Sequence, residues 1–234
     1  MDFSSQFELV KDSIVNVLVL DQNRQIVSSG TGVLIENGKK VVTCSHCIFP
    51  DLINGVRFSG SGNFQSGNII FNDPVLDIAV LEFTMSLGKG VVIRNSDNIK
   101  IGNEAFVVGF PSKIMEITAL FAHIAGFSPT DKGYDLIRID SSVNHGNSGG
   151  PLFNKDGELI GIVNAKHGSL SAFLRSVQQA QATGAIFVGS LDPVKAIQEL
   201  IKEMQQNLNL GIGYAIPINE VGKAYPPIVA LIQD

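Results

Sequence analysis

The sequence lacks any run of basic residues: 17 Lys and Arg stand against 22 Asp and Glu, a formal charge of −5. Nucleic-acid and membrane-surface binders need clustered positive charge to neutralise phosphates, so no nucleic acid is expected as a partner, and a peptide or protein substrate is. No stretch approaches the roughly 18 uninterrupted apolar residues of a spanning helix, so no membrane span is expected. Met1-Asp2-Phe3-Ser4-Ser5-Gln6-Phe7-Glu8 lacks the basic flank and apolar run of a secretory signal, which predicts a cytoplasmic protein. Cysteine is limited to two positions, Cys44 and Cys47, in a C-x-x-C that encloses His46. A zinc site on that pattern wants a second cysteine pair, and there is none. No metal is expected, and the thiols read as free and mostly buried.

What is present is a chain of 234 residues, 44% hydrophobic, with 24 Gly and 9 Pro, enough for a sizeable core cut into short strands by turns. Apolar strands alternate with turns near 14–20, 30–35, 40–43, 56–58, 67–71 and 78–83. A second series follows at 104–110, 114–127, 135–140, 151–154, 159–165 and 213–216. This spacing is all-β and predicts two six-stranded antiparallel β-barrels joined through 84–100. The expected division is an extension at 1–12, a first barrel at 13–100 and a second at 101–234. Phe3, Phe7 and Val10 recur at helical spacing, predicting a short helix on the body, with a homo-oligomer contact as the rival reading. Residues 168–209 interrupt the strands. Leu170, Phe173, Leu174 and Val177, then Val194, Ile197, Leu200, Ile201 and Met204, predict two helices, the second opened by Asp192-Pro193.

Three stretches carry chemistry. Asn144-His145-Gly146-Asn147-Ser148-Gly149-Gly150-Pro151-Leu152 suits a tight turn that exposes a hydroxyl and aims backbone N–H groups at one point. Val41-Val42-Thr43-Cys44-Ser45-His46-Cys47 runs an apolar strand into a turn carrying a histidine. Asp73-Pro74-Val75-Leu76-Asp77-Ile78-Ala79-Val80-Leu81 places an aspartate at the mouth of an apolar strand.

In the order His46, Asp77, Ser148 the chain resembles a trypsin-like, chymotrypsin-fold serine protease. It is most similar to the HtrA/Deg branch, through Gly30-Thr31-Gly32-Val33-Leu34-Ile35, Asp77-Ile78-Ala79-Val80-Leu81, Gly146-Asn147-Ser148-Gly149-Gly150-Pro151-Leu152 and Gly211-Ile212-Gly213-Tyr214-Ala215-Ile216-Pro217. The resemblance implies barrels with the active site between them, and a serine endopeptidase that needs no cofactor. Ser148 is then the nucleophile, His46 the base and later the acid, and Asp77 the orienting carboxylate, with Asp73 as its rival. The N–H groups of Gly146 and Ser148 form the oxyanion hole.

The resemblance also assigns a specificity pocket: Ser142 at its base, Val143, Ala165, Lys166 and Ile212 around it, and His145 at its entrance. Ser142 is not acidic, which removes any preference for Lys or Arg. A small aliphatic side chain is expected, unless Lys166 turns inward beside His145 and His167 and attracts Glu or Asp. Cys47 falls where secreted relatives keep a disulfide cysteine whose partner position here is Gly30, so that bridge is absent, which fits a reducing compartment. The 168–209 insertion occupies the place of a much shorter loop, and too little chain follows Pro217 for a PDZ domain. The other functional reading is a protease-like binding or regulatory module with a latent or insertion-blocked site. For the enzyme, activity is expected to rise with pH through a pKa of ~6.5–7.

Overall fold

The computed structural model describes residues 2–111, 116–165, 195, 197, 198 and 211–234. The first sheet contains β1 (Ile14–Leu20), β2 (Ile26–Ile35), β3 (Lys40–Thr43), β4 (Ile53–Arg57), β5 (Gln65–Ser66), β6 (Asn68–Asp73) and β7 (Ile78–Glu82). Its order is β5-β4-β1-β2-β3-β7-β6, with antiparallel pairings throughout. The two edge strands are neighbours in the chain, separated by Gly67, so the sheet curls round toward itself. Its inward face carries Val15, Val17, Leu34, Val41, Val56, Ala79, Leu81 and Phe83. Gly32 is required where β2 passes between β1 and β3: a Cβ there would sit 2.5 Å from Val41 Cγ1.

The second sheet holds β8 (Ile93–Arg94), β9 (Glu104–Gly109), β10 (Thr118–Pro129), β11 (Asp135–Ile139), β12 (Pro151–Asn154), β13 (Leu159–Val163), β14 (Gly213–Pro217) and β15 (Ile232–Gln233). The run β12-β9-β10-β11-β14-β13 closes through a β12–β13 pairing into a six-stranded barrel. The all-β, chymotrypsin-type architecture expected from the sequence is thus present, as one closed barrel and one curled sheet.

Two regions differ from the strand pattern read in the sequence. The 84–100 connection contains β8, seated on the barrel edge, where Leu159 N–H donates to Val92 O at 2.8 Å. Beyond Pro217 the chain forms α2 (Ile218–Ala224), a 3₁₀ turn (Pro226–Leu231) and β15. Ile218, Val221 and Ile228 are fully buried there, and the Tyr225 ring lies 5.2 Å from Phe71 of β6, so this segment braces the second barrel against the first sheet. The predicted N-terminal helix is α1 (Ser4–Val10), preceded by Phe3, whose ring stacks on Phe106 at 5.2 Å and on Phe121 at 5.9 Å. The helical insertion predicted at 168–209 lies outside the described residues except Lys195, Ile197 and Gln198, which are helical. Among the described residues no helix is long and apolar enough to cross a membrane.

The bracing role of the C-terminal segment is testable. Ile228→Ala empties a fully buried site and is expected to destabilise the fold by about 2–5 kcal/mol, read by denaturant unfolding. An unchanged midpoint would show that the segment packs without stabilising.

Candidate active site

His46 sits in a single 3₁₀ turn, Ser45–Cys47, at the end of β3. Asp77, just before β7, holds that turn at three points. Its carbonyl accepts Ser45 N–H at 3.2 Å, its Oδ1 accepts His46 N–H at 3.0 Å, and its Oδ2 lies 2.7 Å from His46 Nδ1. To reach all three, Asp77 adopts a left-handed backbone with φ of 66°, a conformation that Asp tolerates better than most side chains. Asn164 Nδ2 donates to the same Oδ2 at 2.9 Å. Asp73, the rival carboxylate, caps its own turn by accepting Val75 and Leu76 N–H at 2.8 and 3.0 Å.

Ser148 belongs to the second barrel, yet its loop is fixed by the first sheet. Thr31 of β2 donates its N–H to Ser148 O at 2.8 Å and its hydroxyl to Gly146 O at 2.6 Å, while Thr31 Oγ1 accepts Phe110 N–H at 2.9 Å. Glycine is needed at 149, where φ is +82° and a Cβ would stand 2.2 Å from Thr43 Oγ1. Among the described residues the N–H groups of Gly146 and Ser148 have no hydrogen-bond partner, as an anion-accepting pair requires. Ser148 Oγ accepts Ala165 N–H at 3.2 Å and has no hydrogen bond to His46.

Both thiols are free and buried. Cys47 Sγ faces Ser148 O at 3.6 Å and occupies the space a side chain on Gly30 would need, since a Cβ there would lie 2.5 Å from the sulfur. Burial works to lower the His46 pKa, but the Asp77 hydrogen bond, the adjacent Cys47 and the Asp77 charge outweigh it and raise it to about 9. The range of ~6.5–7 expected from the sequence took neither contact into account. Burial pushes the Cys44 thiol well up.

The pocket residues are brought together in part. Val143 is buried and faces Gly213, where a Cβ would stand 2.7 Å from Val143 Cγ2. Ala165 is half-buried, while His145 and Ile212 are exposed. Ser142 is exposed and Ser141 buried, because Val143 N–H donates to Ser141 O at 3.0 Å and the resulting tight turn puts Ser142 at its tip. Lys166 and His167 lie outside the described residues. His123, read as a strand residue, is on β10 and pairs with Asp140, Nδ1 to Oδ2 at 3.0 Å.

Thr31 and Asn164 were missed in the sequence. Each left a signal there: a polar side chain beside an apolar run, Thr31 between two glycines ahead of Val33-Leu34-Ile35 and Asn164 just after Ile160-Gly161-Ile162-Val163.

Comparison with known proteins places this geometry. The trypsin-like peptidase domain family matches residues 30–162. A probable periplasmic DegP-like serine endoprotease of Pseudomonas fulva is 30% identical over 203 residues, 81% of this chain and 42% of that protein. A relative of the same description from a Marinomonas species is 33% identical over 143 residues, 60% of this chain and 30% of that protein. Among solved structures, the HtrA-type protease AlgW with tripeptide superposes with a TM-score of 0.69 at 22% identity, over 98% of this chain and 64% of that one. The chain therefore spans less than half the length of these curated relatives. Their periplasmic description overturns the cytoplasmic expectation, which rested on the first residues of a chain shorter than its relatives. Nor do the free thiols report a reducing compartment, since both are enclosed in the core.

Thr31→Val keeps the shape and removes the hydroxyl. It leaves Gly146 O and Phe110 N–H buried without that partner, at a cost of roughly 1–3 kcal/mol for each group. Unfolding free energy should fall accordingly. A variant as stable as the parent would show that other groups replace these bonds.

Proposed function

The chain belongs to the trypsin-like peptidase family, and from that premise we propose that it is a serine endopeptidase working through Ser148, His46 and Asp77. The observation that carries the reading is the double grip of Asp77 on His46, backbone N–H to Oδ1 and Nδ1 to Oδ2. With Nδ1–H directed at the carboxylate, the ring's free lone pair is on Nε2, the position from which a base takes a hydroxyl proton. Ser148 Oγ then attacks the peptide carbonyl as His46 takes its proton. The unpaired Gly146 and Ser148 N–H groups receive the oxyanion, each worth about 3–4 kcal/mol in the transition state. His46 delivers the proton to the leaving amine, and water repeats the sequence on the acyl-enzyme.

One adjustment precedes attack. Ser148 Oγ, which accepts Ala165 N–H, must bring its hydroxyl proton within hydrogen-bond reach of His46. This resting contact also favours the second reading, a latent or regulatory protease-like module. A fluorophosphonate probe separates the two, because only a site that reaches the attacking geometry is labelled at Ser148.

Val143 facing Gly213 and the half-buried Ala165 offer a shallow apolar surface with no fixed charge among the described residues. That supports a small aliphatic side chain before the scissile bond. A peptide panel varying this position should place Val, Ala or Ile first; Glu first would assign the pocket to Lys166, and Arg first would refute both. The periplasmic description of the relatives supports action outside the cytoplasm.

Ser148→Ala is expected to lower turnover by about a millionfold and Asp77→Asn by about ten-thousandfold, with Asp73→Asn mild; the reverse aspartate order would reassign the carboxylate. Catalysis needs neutral His46, so kcat/KM should climb as pH rises toward a value of about 9. The folded pKa exceeds the unfolded ~6.5, so the His46–Asp77 pair stabilises the fold fully below pH ~6.5 and loses that contribution as pH rises through the folded value. Cys47→Ala should move the activity limb down toward 6.5. An optimum near pH 4 would contradict a histidine base.

A further inference from the structure

Cys44, His46 and Asp77 bring a sulfur, an imidazole nitrogen and a carboxylate oxygen within 4.8 Å of one another. Sequence spacing argued against a metal because a second cysteine pair is absent; folding supplies the missing donor from the mouth of β7. Cys44 precedes the 3₁₀ turn and its thiol donates to Val163 O at 3.4 Å. Cys47 follows His46 in the chain, with its Sγ facing Ser148 O at 3.6 Å. The thiol protons are dispensable to the backbone. Val163 O also accepts Gly149 N–H at 2.9 Å, and Ser148 O also accepts Thr31 N–H at 2.8 Å, so neither carbonyl is orphaned when a thiol ionises. The cluster opens to solvent along the His46 and Asp77 side chains, 22% and 13% exposed.

We propose that this cluster is an inhibitory binding site for a thiophilic divalent cation of the zinc or cadmium class, held by Cys44, His46 and Asp77. Sulfur, nitrogen and carboxylate oxygen together are zinc's donor set, and a thiolate selects against magnesium and calcium. Binding releases the Cys44 thiol proton and, from an imidazolium, one ring proton; a neutral ring keeps its proton on the nitrogen turned from the ion. Whichever nitrogen coordinates, Nε2 loses its free lone pair, and the base is gone. The inhibitory half of the proposal rests on the peptidase reading, while the binding half does not.

Cobalt(II) titrated into reduced Ser148→Ala protein tests binding without catalysis. One ion per chain should bind with a near-ultraviolet thiolate-to-cobalt band, and one equivalent of zinc should erase it. Cys44→Ser should lose the band, with circular dichroism confirming its fold, and His46→Gln, altered at the solvent edge, should lose it too. In the wild type zinc should abolish peptide hydrolysis and a chelator restore it. Absence of the band, or a band that survives Cys44→Ser, overturns the site. Undiminished hydrolysis with the ion bound overturns the inhibitory role. A band in a wild type that cleaves no peptide supports the site and counts against the peptidase reading alone.

Discussion

The Thr31 side chain is the constraint on which the site depends. Its hydroxyl donates to Gly146 O and accepts from Phe110 N–H, and its own carbonyl accepts the Thr43 hydroxyl at 2.7 Å. One fully buried residue of the first sheet thus fixes the Ser148 loop, the end of β9 and the strand leading to His46. In a low-dielectric interior each of these bonds is costly to lose, because no water can replace it. The neighbouring glycines follow from the same constraint, since a Cβ on Gly109 or Gly149 would strike Thr31 at 2.9 or 2.3 Å.

Asp77 is the counterpart on the other side. Its carboxylate serves His46 twice and Asn164 once, so a residue of the second barrel helps hold the carboxylate that orients His46. The left-handed backbone that allows this costs roughly 1–2 kcal/mol, offset by several bonds converging on one residue. The charge that aligns the imidazole also raises its pKa, so orientation and proton affinity are not independently adjustable here.

Much of this was legible in the sequence because it is written in long periodic signals. Strands such as Ile14–Leu20 and Glu104–Gly109 are apolar over most of their length, and the His46, Asp77 and Ser148 stretches combine turn residues with apolar strands. β8 and β15 are two residues each, too short for any period to register, and exist because β8 finds β13 and β15 in turn finds β8. Thr31 and Asn164 look like interruptions of a strand until their partners, far along the chain, are known. Ser141 is buried and Ser142 exposed because a single tight turn sets which of two adjacent residues faces outward, a choice no sequence period records. Compartment was misjudged because local composition at one end of a chain says little about the protein it serves.

The hydrogen bonds that define the site join residues 115 and 119 positions apart, Thr31 to Gly146 and Cys44 to Val163. Contacts of such separation form only after the intervening chain has closed, at an entropic cost that nearby contacts do not carry. A folding intermediate with one sheet complete therefore holds His46 or Ser148, but not the clamp that relates them. The geometry of the site is therefore a late event in folding, set only once both sheets have met.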